Sequence, residues 1–124
     1  MYAMFYNAVE FCSDLSKWST SKVQDMSWMF GSDHTVGAMT FNSDLSEWQV
    51  GQVTDMSWMF AFANKFNSEI SKWDVSSVTN MKSMFFRANS FDVDISKWDV
   101  SSVTDMNSMF FYLASFVQVR LGVA

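Results

Sequence analysis

The stretch FDVDISKWDVSSVTDMNSMFFYLA, Phe91–Ala114, decides how this chain reads. Before it stand FNSEISKWDVSSVTNMKSMFFRA (Phe66–Ala88) and FNSDLSEWQVGQVTDMSWMFAFA (Phe41–Ala63), and a further copy, FCSDLSKWSTSKVQDMSWMF, opens at Phe11. The leading phenylalanines fall at 41, 66, 91 and 116, a step of 25. A period of that length marks an array in which each unit buries its apolar face only against its neighbours.

Aligning the copies sets the boundaries. Residues 1–10 carry Met1, Met4, Phe5 and Ala8 at the spacing of Met56, Met59, Phe60 and Ala63, so they read as the tail of a truncated repeat. Residues 11–40 form a repeat whose spacer, GSDHTVGAMT at 31–40, replaces the shorter Ala61–Lys65 and stretches the step to 30. Two glycines and several polar residues make that insert a loop bulging from one edge. Regular repeats follow at 41–65, 66–90 and 91–115. At 116–124 the pattern degenerates into alternating Val117, Val119, Leu121 and Val123, read as a C-terminal strand or cap. The ragged ends predict a piece cut from a longer array.

Within a unit, M-x-x-M-F-x-x-A places apolar residues at i, i+3, i+4 and i+7, the stripe of a short helix. Thr54, Thr79 and Thr104 precede it as candidate N-caps, with Asp55, Asn80 and Asp105 next. A short strand is expected around Glu69–Lys72, and Val75 and Val78 suit a tight turn. The reading is an α/β repeat solenoid of about four to five rungs, with a narrow parallel sheet and short helices.

Stacking aligns equivalent side chains into ladders. Those expected in the core are Trp48, Trp73 and Trp98; Val53, Val78 and Val103; Met56, Met81 and Met106; and Phe60, Phe85 and Phe110. Methionine adapts to irregular gaps, which accounts for its abundance without a metal. Trp18 extends the tryptophan column. Trp28 and Trp58 lie off the stripe, in a slot held by Ser83 and Ser108 later on, and are expected to be partly exposed. They are candidate contacts for a partner or a glycan. Asp33 and the single histidine, His34, join them because they lie where the repeat is broken. The acidic column Asp14, Asp44, Glu69 and Asp94 is expected to accept bonds from turn N–H groups rather than hold a cation.

Composition narrows the function classes. The net charge of −5, with thinly scattered Lys and Arg, argues against nucleic acid. No apolar run reaches the roughly 20 residues of a membrane span. A single cysteine, Cys12, allows no internal disulfide. One histidine, one cysteine and carboxylates that recur in every repeat do not make an active site, which normally breaks a repeat once, so no enzyme is expected. No catalytic residue, metal site or cofactor is assigned.

The string W-D-V-S-S-V-T-x-M-x-x-M-F, returning to F-x-x-[DE]-[IL]-S-x-W, resembles the BspA-like, leucine-rich-repeat-related surface-protein repeat family, also described as the DUF285 type. The resemblance covers Phe11 to about Phe116. It implies a curved, right-handed, leucine-rich-repeat-like coil. It also implies adhesion or protein–protein contact at a bacterial cell surface, with expansions in some microbial eukaryotes, including algae. This chain carries no signal peptide, lipobox or wall anchor, so a surface or extracellular location is inherited by analogy, with an organelle scaffold as the alternative. The function expected is a non-catalytic, adhesion-type interaction module of a larger surface protein. Alternatives are a scaffold or filament segment that self-associates end to end, and glycan binding through the exposed tryptophans.

Overall fold

The computed structural model describes residues 1–37 and 39–113. The expected strand or cap at 116–124, with Phe116, lies outside them.

The repeats stack. Each unit contributes the same apolar positions to one core, and two columns of phenylalanine run through it side by side. One column comprises Phe5, Phe30, Phe60, Phe85 and Phe110, with centroids 5.5 to 6.0 Å apart between neighbours. The other comprises Phe11, Phe41, Phe66 and Phe91, at 6.1 to 6.2 Å. Across the columns Phe60 stacks on Phe66 at 3.9 Å and Phe85 on Phe91 at 4.0 Å. The inner rings, Phe30, Phe60, Phe85, Phe41 and Phe66, are therefore sandwiched along the stack and also flanked from the side.

The expected short helices are not formed: no α-helix occurs among the described residues. Met56–Ala63 is instead a train of overlapping turns. Met59 N–H bonds to Met56 C=O, Ala61 N–H to Trp58 C=O, and Ala63 N–H to Phe60 C=O. The N–H groups between them, on Met56, Trp58, Phe60 and Phe62, donate to Asn80, Lys82, Met84 and Phe86 of the following repeat. The same alternation recurs in Met81–Ala88. A helix uses the N–H groups beyond its first turn on its own carbonyls, so it cannot send every second one to a neighbouring repeat. A two-turn helix is also marginal without that support. Both arrangements point Met56, Met59, Phe60 and Ala63 inward, so the apolar pattern alone does not separate them.

The turns require left-handed backbone. Trp28, Trp58, Ser83 and Ser108 have φ of 53 to 59°, as do the later Phe62, Arg87 and Tyr112 at 56 to 61°. In each repeat the first of these is the third residue of a turn closed by an i to i+3 bond, where type II geometry needs positive φ. Bulky residues rarely adopt it. Here the inter-repeat bonds hold it in place in repeat after repeat.

The narrow sheet is likewise reduced to isolated parallel pairings, Asp25 with Asp55, Asp55 with Asn80, and Asn80 with Asp105. They lie just after the Thr column, not at Glu69–Lys72. There the Glu69 carboxylate takes the Ser71 N–H at 2.8 Å, and Trp73 N–H closes a turn on Ile70 C=O. Side-chain capping removes the N–H that a ladder would use. Asp14, Asp44 and Asp94 bond residue i+2 in the same way. The threonines are not helix caps: Thr54, Thr79 and Thr104 each donate N–H and hydroxyl to the preceding repeat's carbonyl. The Val75–Val78 step is a closed turn with both side chains buried.

The tryptophan column bonds across repeats. The indole N–H of Trp48 reaches Leu15 C=O at 2.9 Å, Trp73 reaches Leu45 at 3.0 Å, and Trp98 reaches Ile70 at 3.1 Å. All three rings are buried. Trp18 departs from the column and is 39% exposed. Val53, Val78, Met56, Met81, Phe60 and Phe85 are fully buried; Val103, Met106 and Phe110, in the last described repeat, are partly so.

Candidate functional site: an aromatic groove beside the inserted loop

Outside the core runs a third aromatic column, built from two sequence slots in alternation. Trp28 and Trp58 fill the slot two residues after the first Met of the turn train, and there the residue after Phe is small: Gly31 or Ala61. Where that first slot holds Ala3, Ser83 or Ser108, the residue after Phe is large: Tyr6, Phe86 or Phe111. Only one ring per repeat fits. A Cβ on Gly31 would lie 2.6 Å from the Trp58 carbonyl oxygen and 3.0 Å from the Trp28 ring. The rings form a continuous file. Tyr6 meets Trp28 edge-on at 5.4 Å, and Trp28 lies face to face with Trp58 at 4.6 Å and 2°. Trp58 leans on Phe86 at 5.6 Å, and Phe86 on Phe111 at 5.9 Å.

A second file lies beside the first. Phe62, Arg87 and Tyr112 occupy one slot, and the Arg87 guanidinium sits over Tyr112 at 4.8 Å, Phe62 at 5.6 Å and Phe86 at 5.9 Å. In the repeat carrying the insert this slot is Ser32, which turns inward and is buried, its hydroxyl bonding the carbonyls of Asp33 and Gly37. At Ser32, as at Asn7, the slot holds neither ring nor guanidinium, and beside Phe62 this leaves a gap. The gap is a groove of about 540 Å³ lined by Trp28, Ser32, Asp33, His34, Trp58, Phe62, Phe86 and Arg87.

The insert is pinned at one rim. The Asp33 carboxylate accepts from the Tyr6 hydroxyl at 2.7 Å, the Asn7 amide at 3.4 Å, the Thr35 N–H at 2.8 Å and the Thr35 hydroxyl. Asp33 N–H returns a bond to the Asn7 side-chain oxygen at 3.0 Å. The Thr35 hydroxyl, then the Tyr6 hydroxyl and the Thr35 N–H, hold the Asp33 carboxyl well below the usual carboxylate range. The bond to Asp33 raises the Tyr6 phenol in turn. The loop is not wholly a surface excursion, since Gly31 and Met39 at its ends are buried and Asp33–Gly37 form its more open part. Gly37, at φ 93°, supplies a backbone conformation that side chains resist.

The structure brings all four sequence candidates, Trp28, Trp58, Asp33 and His34, to this groove. The two tryptophans are half-buried and His34 is exposed. Sequence reasoning missed Phe62, Phe86 and Arg87. The reciprocal change of size between the two slots was the available signal. Among the described residues, no cluster of His, Cys, Asp and Glu could hold a metal, and no helix is long and apolar enough to cross a membrane.

Stacked units around a periodic aromatic core, with one lateral groove where the period breaks, define a repeat protein. Its family is shown by comparison: the chain belongs to the family described as Mycoplasma protein of unknown function, DUF285, whose profile matches residues 32–120. No curated protein and no solved structure matches it.

Proposed function

We propose that this chain is a non-catalytic, adhesion-type protein-interaction module of a larger surface protein, wound as a right-handed, leucine-rich-repeat-like solenoid. The observation that supports this reading is the groove beside the inserted loop. Half-buried aromatic rings beside an arginine have the composition of interaction hot spots. The stacking geometry favours a protein over a sugar. Trp28 and Trp58 face one another, and Tyr6 and Phe86 adjoin their other sides, whereas a sugar stacks on an open ring face.

The test uses beads coated with the chain, passed over immobilised extracellular-matrix proteins and a glycan array. Retention on protein that is lost in the Trp28→Ser, Trp58→Ser double variant supports the module. Equal retention of the variant, or retention on glycans alone, overturns it. A scaffold role, in which copies of the chain associate, is the second reading. Sedimentation over a concentration series tests it, and a strict monomer counts against it.

A further inference from the structure

Resting on that reading, we infer that the groove takes an extended peptide segment in which an apolar side chain stands within two residues of a carboxylate. The walls are apolar, formed by the edges of Trp58, Phe62 and Phe86, so an apolar side chain is the natural filling. Two charged groups flank it, and they are not equivalent. Asp33 has both carboxylate oxygens engaged, by Tyr6, Asn7 and Thr35, so it shapes the rim rather than offering itself to a ligand. Arg87 is exposed, and among the described residues no carboxylate pairs with it; its contacts are with ring faces.

The Arg87 guanidinium, centred 4.8 to 5.9 Å from those rings, carries a fork of N–H donors that can receive a carboxylate with two parallel bonds. The Asp33 charge at the opposite rim repels a second acid. The groove is therefore polar in direction: the acid of the segment lies toward Arg87 and its apolar side chain toward the tryptophans.

The probe is a phage library of random dodecapeptides selected on the whole 124-residue chain, followed by titration of synthetic copies of the recovered peptides. The result expected is recovery of sequences pairing Phe, Leu, Ile or Trp with a neighbouring Asp or Glu. Binding should fall about tenfold or more in Arg87→Asn, and equally when the peptide acid becomes an amide, with no further loss when both changes are combined. Asn is the control that keeps the fold, since Asn7 holds the same slot at φ 60° where Arg87 has φ 56°. Unchanged thermal melting of Arg87→Asn confirms that the comparison concerns the site. Recovered peptides that lack an acid, or that bind Arg87→Asn and Trp58→Ser as well as the parent, overturn the groove inference while leaving an interaction module standing. Recovery of no peptide overturns the groove inference alone, and retention on whole proteins in the bead assay still decides the module. Arg87-dependent binding of sialylated glycans, with no peptide recovered, assigns the groove to an anionic sugar and overturns the peptide.

Discussion

Phe60 and Trp58 stand two residues apart in one turn train, and each stacks on rings from the repeats on either side. Phe60 belongs to a column that draws its ring from one slot in every repeat, and it is fully buried. Trp58 belongs to a column that takes its ring from either of two slots and remains half-exposed. The inner column is fixed because close-packed neighbours on all sides admit one shape at one place. The outer column must only supply one ring per repeat, so the slot, the ring and the neighbour can vary. That freedom lets one repeat carry a loop, lose its second-file residue and leave a groove without disturbing the core.

The sharpest way to break this contrast is to remove each ring. Phe60→Ala is expected to cost about 3–5 kcal/mol, from lost transfer energy and a cavity with limited ability to collapse. Trp58→Ser should cost clearly less, because Ser83 occupies the same slot with the same positive φ. Urea denaturation of both variants measures the difference, and equal losses would erase the distinction between the columns.

Gly31→Ala probes how closely the repeat with the insert packs on the next one. The added methyl meets a backbone oxygen of the next repeat, which cannot swing aside, so a loss of about 1–3 kcal/mol is expected. A neutral result in the same denaturation assay would mean that the two repeats can shift apart at this point.

Acid should loosen the turns before it touches the stacks. Asp33, Asp14, Asp44, Glu69, Asp74 and Asp99 are all held below their ordinary values by hydrogen bonds from the residue two positions on, Asp33 by Tyr6 as well. A depressed folded value means that their stabilisation is present above the unfolded values, 3.8 for Asp and 4.5 for Glu, and is lost as pH falls through the lower folded ones. The thermal midpoint should therefore be level above about pH 5 and decline below pH 4. Tyr6 has the opposite sign: its contact with Asp33 stabilises below its ordinary value of 10.0 and is lost as pH rises through the higher folded one.

The smallest effect separates turn from helix. Ser108 is exposed and has φ 58°. Ser108→Gly relieves left-handed strain at some entropic cost, a net gain of about 0.5 kcal/mol. In a helix the same change would cost several tenths of a kcal/mol or more. The direction of the shift in thermal midpoint decides between them.

Much of the core could be read from spacing alone. The step of 25 aligned Val53 with Val78, Met56 with Met81 and Phe60 with Phe85, and those side chains meet in the core. Left unread was the backbone joining them. M-x-x-M-F-x-x-A is an inward stripe in a helix and in a train of overlapping turns alike, because both return a residue to the same side every three to four positions. The destination of each N–H separates the two, and half of those destinations lie on another repeat, 24 residues away for Met56 to Asn80. The groove was half legible. Trp28, Trp58, Asp33 and His34 are marked by broken repetition, whereas Arg87 looks like any surface cation until the rings of Phe62, Phe86 and Tyr112 are placed around it. The sequence by itself determined which side chains are stacked, since burial follows a period that one chain displays in full. The tertiary structure alone decided how the backbone turns and where an opening remains, because both depend on hydrogen bonds and ring contacts that exist only once one repeat lies against the next.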